Sequence, residues 1–172
     1  MNKTIENLMT RRSVRKYKDT QITRDELDTV LEAGMCAPTA NNLQSPIIVA
    51  VQDKETRDYL SKLNAQVIGK DVDPFYGAPT VLVVLADAAN RNAVPDGSLV
   101  MGNLLNAAHA IGLGSCWINR AREVFDTDAG KALLKKWGIE GDYIGVGNCI
   151  LGYPAEDPAR KPCKDNYVYY VL

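Results

Sequence analysis

Residues 11–18 read RRSVRKYK, five cations in eight positions around one serine. Guanidinium groups bind phosphate oxygens bidentately and a serine hydroxyl adds a further donor, so this run can hold a small anion. In an extended segment Arg11, Ser13 and Arg15 point to one side, with Arg12 and Val14 on the other. That alternation allows a three-point grip on a phosphate and an attached polyol. Two other readings stand beside it: a solvated loop of charges, and a contact to nucleic acid. The latter favours a broad basic face with stacking aromatics, and only Tyr17 is at hand.

A second stretch, APTANNLQSP at 37–46, gathers Thr39, Asn41, Asn42 and Gln44 between two prolines, directly before an apolar run. Polar loops are common, yet this one supplies the neutral donors and acceptors that suit the uncharged edge of a heterocycle. Other chemistries lack their residues. His109 is the only histidine, enclosed in a helical pattern between Ala108 and Ala110. A structural, hydrogen-bonded role is expected for it, and a Ser-His-acid triad or a zinc site would have no other imidazole to use. Cys36, Cys116, Cys149 and Cys163 show no CxxC spacing; Cys116 and Cys149 fall in apolar stretches and read as buried thiols. The glycines of GVGNCILG lie at 145, 147 and 152, inside a strand pattern, so they do not make a dinucleotide-binding turn.

These groups need elements to position them. TIENLMT sets Ile5, Leu8 and Met9 on one helical face ahead of the basic run. TRDE at 23–26 is a capping box opening a helix that carries Leu27, Val30 and Leu31 and ends near Gly34. Strands are expected at 46–52, 78–87, SCWI and 143–153, with helices at KETRDYLSKLNAQV, from an Asp96 cap to Ile111, and at TDAGKALLKKWG. The tail NYVYYVL has strand composition with nothing following to cover it, so it docks either as an edge of its own sheet or on a second subunit. Helices and strands that largely alternate give α/β or α+β, one sheet covered by helices.

The chain has 172 residues, enough for one domain over 1–172, and a net charge of −1 from 20 basic and 21 acidic side chains. General attraction to nucleic acid or to a membrane surface is not expected; a basic site must be local. No apolar run approaches the roughly 20 residues of a membrane helix, and MNKTIENLMT lacks a secretory core, so a cytoplasmic location is expected.

RRSVRKYKD, APTANNLQSP, YGAPTVLVV, NAAHAIGLGSCWI and LGYPAEDPARKP occur in this order. Together they resemble the nitroreductase-like FMN-dependent oxidoreductases, in their compact form, from about residue 8 to 164. The resemblance implies an α+β fold with a mixed central sheet flanked by helices. It implies a homodimer with FMN at the interface, and a C-terminal strand exchanged with the partner. NADH or NADPH would reduce the flavin at N5 and an electron-poor acceptor, a nitroaromatic or a quinone, would reoxidise it in a ping-pong cycle, with no catalytic side chain and no metal. The alternatives are the same flavin fold with another redox substrate, of dehalogenase or heterocycle-oxidase type, or a non-catalytic flavin-binding sensor or store. By matching motifs, Arg11, Arg12, Ser13 and Arg15 hold phosphate, ribityl and the N1/O2 edge. Pro38, Thr39, Ala40, Asn41, Asn42 and Gln44 form the loop from the other subunit. Ile118, Asn119 and Arg120 come near N5, and Arg160 and Lys161 lie near the phosphate. Relatives often have a cation near 163, where this chain has Cys163, which leaves the phosphate partner open among Arg160, Lys161 and Lys164. Asn64 and Gln66 are the candidates for the middle-segment flavin contact.

Overall fold

The computed structural model describes all 172 residues. Strands β1 (Pro46–Val51), β2 (Thr80–Asp87), β3 (Gly114–Ile118) and β4 (Tyr143–Gly152) form one sheet in the order β1-β2-β4-β3. Helices α1 (Lys3–Thr10), α2 (Arg24–Met35), α3 (Lys54–Ile68), α4 (Ala93–Ala110), α5 (Ala121–Asp126) and α6 (Asp128–Lys136) surround it. The reason β2 reads as an unbroken apolar run is that helices cover both faces. Val81, Val83 and Leu85 pack with Leu60, Leu63, Phe125 and Leu134 on one face. Leu82 and Val84 pack with Val30, Met101 and Leu104 on the other.

The capping box forms as read: Glu26 N donates to Thr23 Oγ1 at 3.2 Å and Thr23 N donates to Glu26 Oε2 at 2.8 Å. The glycines of β4 serve packing. A Cβ on Gly145 would lie 2.2 Å from the carbonyl oxygen of Ala121, so glycine lets the start of α5 rest on the strand.

Several expectations change. All ladders among the four strands are antiparallel. The parallel component of a mixed sheet is confined to one isolated bridge, from Ser13 of the basic run to Ser115 of β3. Helix α4 starts at Ala93, three residues before the expected cap, because Pro95 needs no donor in a first turn. Asp96 is therefore inside the helix, and it is buried. The tail is not an edge of its own sheet: Tyr167–Leu172 forms no strand and is exposed throughout. The apolar face of α1, Ile5, Leu8 and Met9, is also exposed. No helix is long and apolar enough to cross a membrane.

Candidate functional site

The basic run is pinned, not a free loop. Val14 N donates to Ser115 O at 3.0 Å, Lys18 N to Tyr153 O at 2.9 Å, and Ala155 N to Lys16 O at 2.9 Å. Val14 is buried against Gly114, which sets the alternation: Ser13 is half-buried and Arg15 exposed. Arg12 turns back toward the end of α1. Its Nη1 donates to the carbonyl of Met9 at 3.0 Å and to that of Arg11 at 2.5 Å, at the end of α1 where carbonyls lack helical partners and the dipole is negative. Arg11 is half-buried, and its Nη1 is enclosed with no acceptor. A buried charged donor without a partner is costly. Arg15 keeps its guanidinium out of ion pairs: Glu156 takes its backbone N–H at 2.5 Å, and the Arg15 Cζ lies 6.0 Å from the centre of the Tyr76 ring.

At the far end of β3, Ile118 is half-buried and Asn119 and Arg120 are exposed. Arg120 adopts a left-handed φ of 79° as the N-cap of α5, and its guanidinium pairs with Glu123 at 2.7 Å. Asn64, on α3, lies beneath this turn and donates Nδ2 to the Asn119 carbonyl at 2.9 Å. It is wholly buried and its Oδ1 has no partner, so it props the turn rather than facing the open surface; Gln66 is exposed.

The 37–46 stretch folds into a tight turn with three consecutive-region outliers: Asn41, Asn42 and Gln44 have φ of 52°, 55° and 51°. Left-handed backbone is uncommon outside glycine, and three such residues in one loop must be held by their surroundings. Thr39 Oγ1 accepts from Gln44 N at 3.0 Å, and Asn42 Oδ1 accepts from Gln44 Nε2 at 3.0 Å. Asp96 supplies the anchor that sequence reasoning assigned to a helix cap. Its Oδ1 accepts from Ala40 N at 3.0 Å and its Oδ2 from Asn90 Nδ2 at 3.3 Å, while the same Asn90 amide donates to Ser45 Oγ at 2.8 Å. The available signal was a lone carboxylate in an otherwise apolar helix. Pro38 lies exposed at the mouth of this loop.

The two groups of residues do not meet within one chain. Ser13 sits at the β3 edge, level with Thr80 through Leu151; the loop leads into Pro46 at the β1 edge, level with Ala86. Three strand spacings separate the edges, about 14 Å, and six residues along β2 add about 20 Å. Arg160 and Lys161 are exposed on the tail and form no ion pair; Lys164 lies over Tyr167, 5.9 Å from its ring centre. His109 has the structural role expected of it: its Nε2 shares a 3.0 Å hydrogen bond with Thr10 Oγ1. Burial chiefly, then the charges of Arg11 and Arg12, hold its pKa below the ordinary value. Cys116 and Cys149 are buried, and burial pushes the Cys149 thiol up to about 12.

Comparison with known proteins meets this geometry. The nitroreductase family model matches residues 8–74 and 65–153. A protein of Archaeoglobus fulgidus, provisionally named NADH dehydrogenase/NAD(P)H nitroreductase, is 31% identical over 91% of this chain and 88% of its own. An NADPH-flavin oxidoreductase of Vibrio harveyi is 29% identical over 94% of this chain and 70% of its own. The crystal structure of a nitroreductase with bound FMN from Bacteroides fragilis matches with a TM-score of 0.91 at 27% identity, covering 100% of both chains.

Proposed function

This chain belongs to the nitroreductase family, and from that premise we propose that it is an FMN-dependent oxidoreductase using NADH or NADPH to reduce electron-poor acceptors such as nitroaromatics or quinones. The observation that carries the reading is Arg11: an enclosed guanidinium nitrogen with no acceptor, next to Ser13 on a pinned segment, is the donor set for a phosphate monoester. The neutral loop at 38–44 and the exposed Arg15 suit the rest of such a cofactor, a heterocycle with an electron-rich edge. FMN supplies two-electron redox chemistry at N5, so donor and acceptor use one pocket in turn.

The protein's part is binding and orientation. Arg11 and Ser13 would hold the phosphate end of FMN, and Arg15 would supply positive charge to the electron-rich edge of its ring system. Asn64 holds the Asn119 carbonyl and so fixes the backbone of Ile118–Arg120. Thr39, Ala40, Asn41, Asn42 and Gln44, clamped by Asp96, form a rigid polar edge. Arg160 and Lys161, exposed on the tail, are the further cations that would meet the phosphate once the tail docks on the partner. Because loop and basic segment occupy opposite corners of one sheet, a complete site takes one from each of two copies. The exposed apolar residues of α1, Met35, Leu43 and the Tyr167–Leu172 tail supply surface for that homodimer, with the tail as an exchanged strand. The 172 residues act as one FMN-binding domain, both core layers sharing β2. A cytoplasmic setting provides the nicotinamide donor and keeps the thiols reduced.

The test is direct. Protein purified after growth with riboflavin is expected to be yellow, to release FMN on denaturation, to sediment as a dimer, and to give parallel initial-rate lines with NAD(P)H and a quinone. A colourless monomer that takes up no FMN in excess would overturn the proposal.

A further inference from the structure

Resting on the reading of Arg15 as a cofactor contact, we infer that Tyr76 is a positioning residue whose ring holds the Arg15 guanidinium by its face while leaving its charge and its in-plane donors free. Tyr76 has a φ of 53°, in the left-handed region that a side chain with a Cβ avoids. The turn around it imposes that conformation. Asp73 Oδ1 accepts from Ser61 Oγ at 2.6 Å and from Phe75 N at 2.9 Å; Oδ2 accepts from Arg57 Nη2 at 2.6 Å and from Gly77 N at 2.7 Å. Arg57 adds a bond from Nε to the Ala78 carbonyl at 3.0 Å, and its Cζ lies 5.6 Å from the centre of the Phe75 ring. Residues on both sides of Tyr76 are thus tied to one carboxylate, with Phe75 in the core and Tyr76 turned outward.

What the strain delivers is the ring at 6.0 Å from the Arg15 Cζ. An aromatic face attracts a guanidinium without taking its N–H groups, which lie in the plane and stay available. A carboxylate would do the opposite, occupying the donors and neutralising the charge. The carboxylate that is nearby, Glu156, binds the Arg15 backbone N–H. Strain kept at a surface residue that contacts a site side chain is the kind of outlier from which a functional role is inferred.

The experiment measures FMN dissociation constants of the apo-protein by fluorescence quenching, the midpoint potential of bound FMN, and thermal stability. Tyr76→Gly relieves the backbone and removes the ring; Tyr76→Leu keeps the strain and removes the ring; Tyr76→Phe keeps both. Tyr76→Gly is expected to hold or raise the melting temperature while FMN affinity falls about three- to tenfold and the potential moves negative. Tyr76→Leu should lose the same affinity, and Tyr76→Phe should match the parent. In an Arg15→Ala background the Tyr76 substitutions should have no further effect. Full affinity and potential in Tyr76→Gly and Tyr76→Leu, alongside weakened binding in Arg15→Ala, would overturn the inference and leave the Arg15 reading standing. So would a Tyr76 effect that persists undiminished without Arg15. An Arg15→Ala protein with parental affinity and potential would remove the premise itself, and the inference with it.

Discussion

Arg11→Leu is expected to separate stability from cofactor binding, leaving the apo-protein at least as stable as the parent and weakening FMN about ten- to a hundredfold. In the apo-protein the Arg11 Nη1 is buried with no acceptor, and removing a buried unsatisfied donor recovers up to about 1–3 kcal/mol of desolvation cost. In the proposed FMN complex the same nitrogen would make a charge-assisted bond to phosphate, expected to contribute about 1.5–3 kcal/mol. Thermal shift reads both at once. At FMN a hundred times the parental dissociation constant, binding stabilises the parent by about 2.7 kcal/mol, and a thirtyfold loss reduces this to about 0.9 kcal/mol. The single imidazole is a second reporter. The Arg11 charge is one of the causes, after burial, that hold His109 below its ordinary pKa, so its titration by NMR should move upward in the variant. An apo-protein that melts earlier and still binds FMN normally would place Arg11 in the fold and not in the site.

Asp73→Ala is the second large effect, and it falls on the fold. The substitution strips two backbone N–H groups, the Ser61 hydroxyl and the Arg57 guanidinium of their acceptor. Arg57 is buried and would be left with Asp58 and the Ala78 carbonyl. Orphaning a buried arginine and several donors costs about 2–4 kcal/mol for a partner that is itself partly solvated. The pH dependence has a definite sign. Burial raises the Asp73 carboxyl, but the bonds from Arg57, Ser61, Gly77 and Phe75 outweigh it and hold the folded-state pKa below the ordinary carboxylate value. A carboxyl depressed in the folded state contributes stability that is fully present above the unfolded pKa, near 3.9, and is lost as pH falls through the folded value. The gap between parent and variant in urea denaturation should therefore be flat around neutral pH and shrink only below about pH 4. A gap that grows on acidification would contradict the assignment.

Local interactions were legible in the sequence and distant ones were not. The Thr23–Glu26 capping box needs four consecutive residues and formed as read. Extended backbone puts buried Val14 opposite exposed Arg15, while Arg11 departs from the alternation by tucking its Nη1 inward. Arg12, expected on the Val14 side, turns back to the free carbonyl of Met9 three residues earlier, a contact the alternation does not report. Asp96 and Asn64 have partners 56 and 55 residues away in sequence, and no periodicity reports such a contact. The directions of the strands were likewise beyond reach, since alternation and apolar runs look alike in parallel and antiparallel ladders. The tail has strand composition yet pairs with neither edge of its own sheet, and no local pattern in the chain says where it docks.

In the proposed homodimer, the placement of the basic segment and the strained loop at opposite corners of the sheet has a genetic consequence. Chains crippled at Arg11 and chains crippled at Asn42 should complement each other when refolded together. A hybrid pair unites the sound segment of one with the sound loop of the other in one of its two sites and collects both defects in the other site. With random pairing about half the molecules are hybrids, so about a quarter of all sites should regain the cofactor.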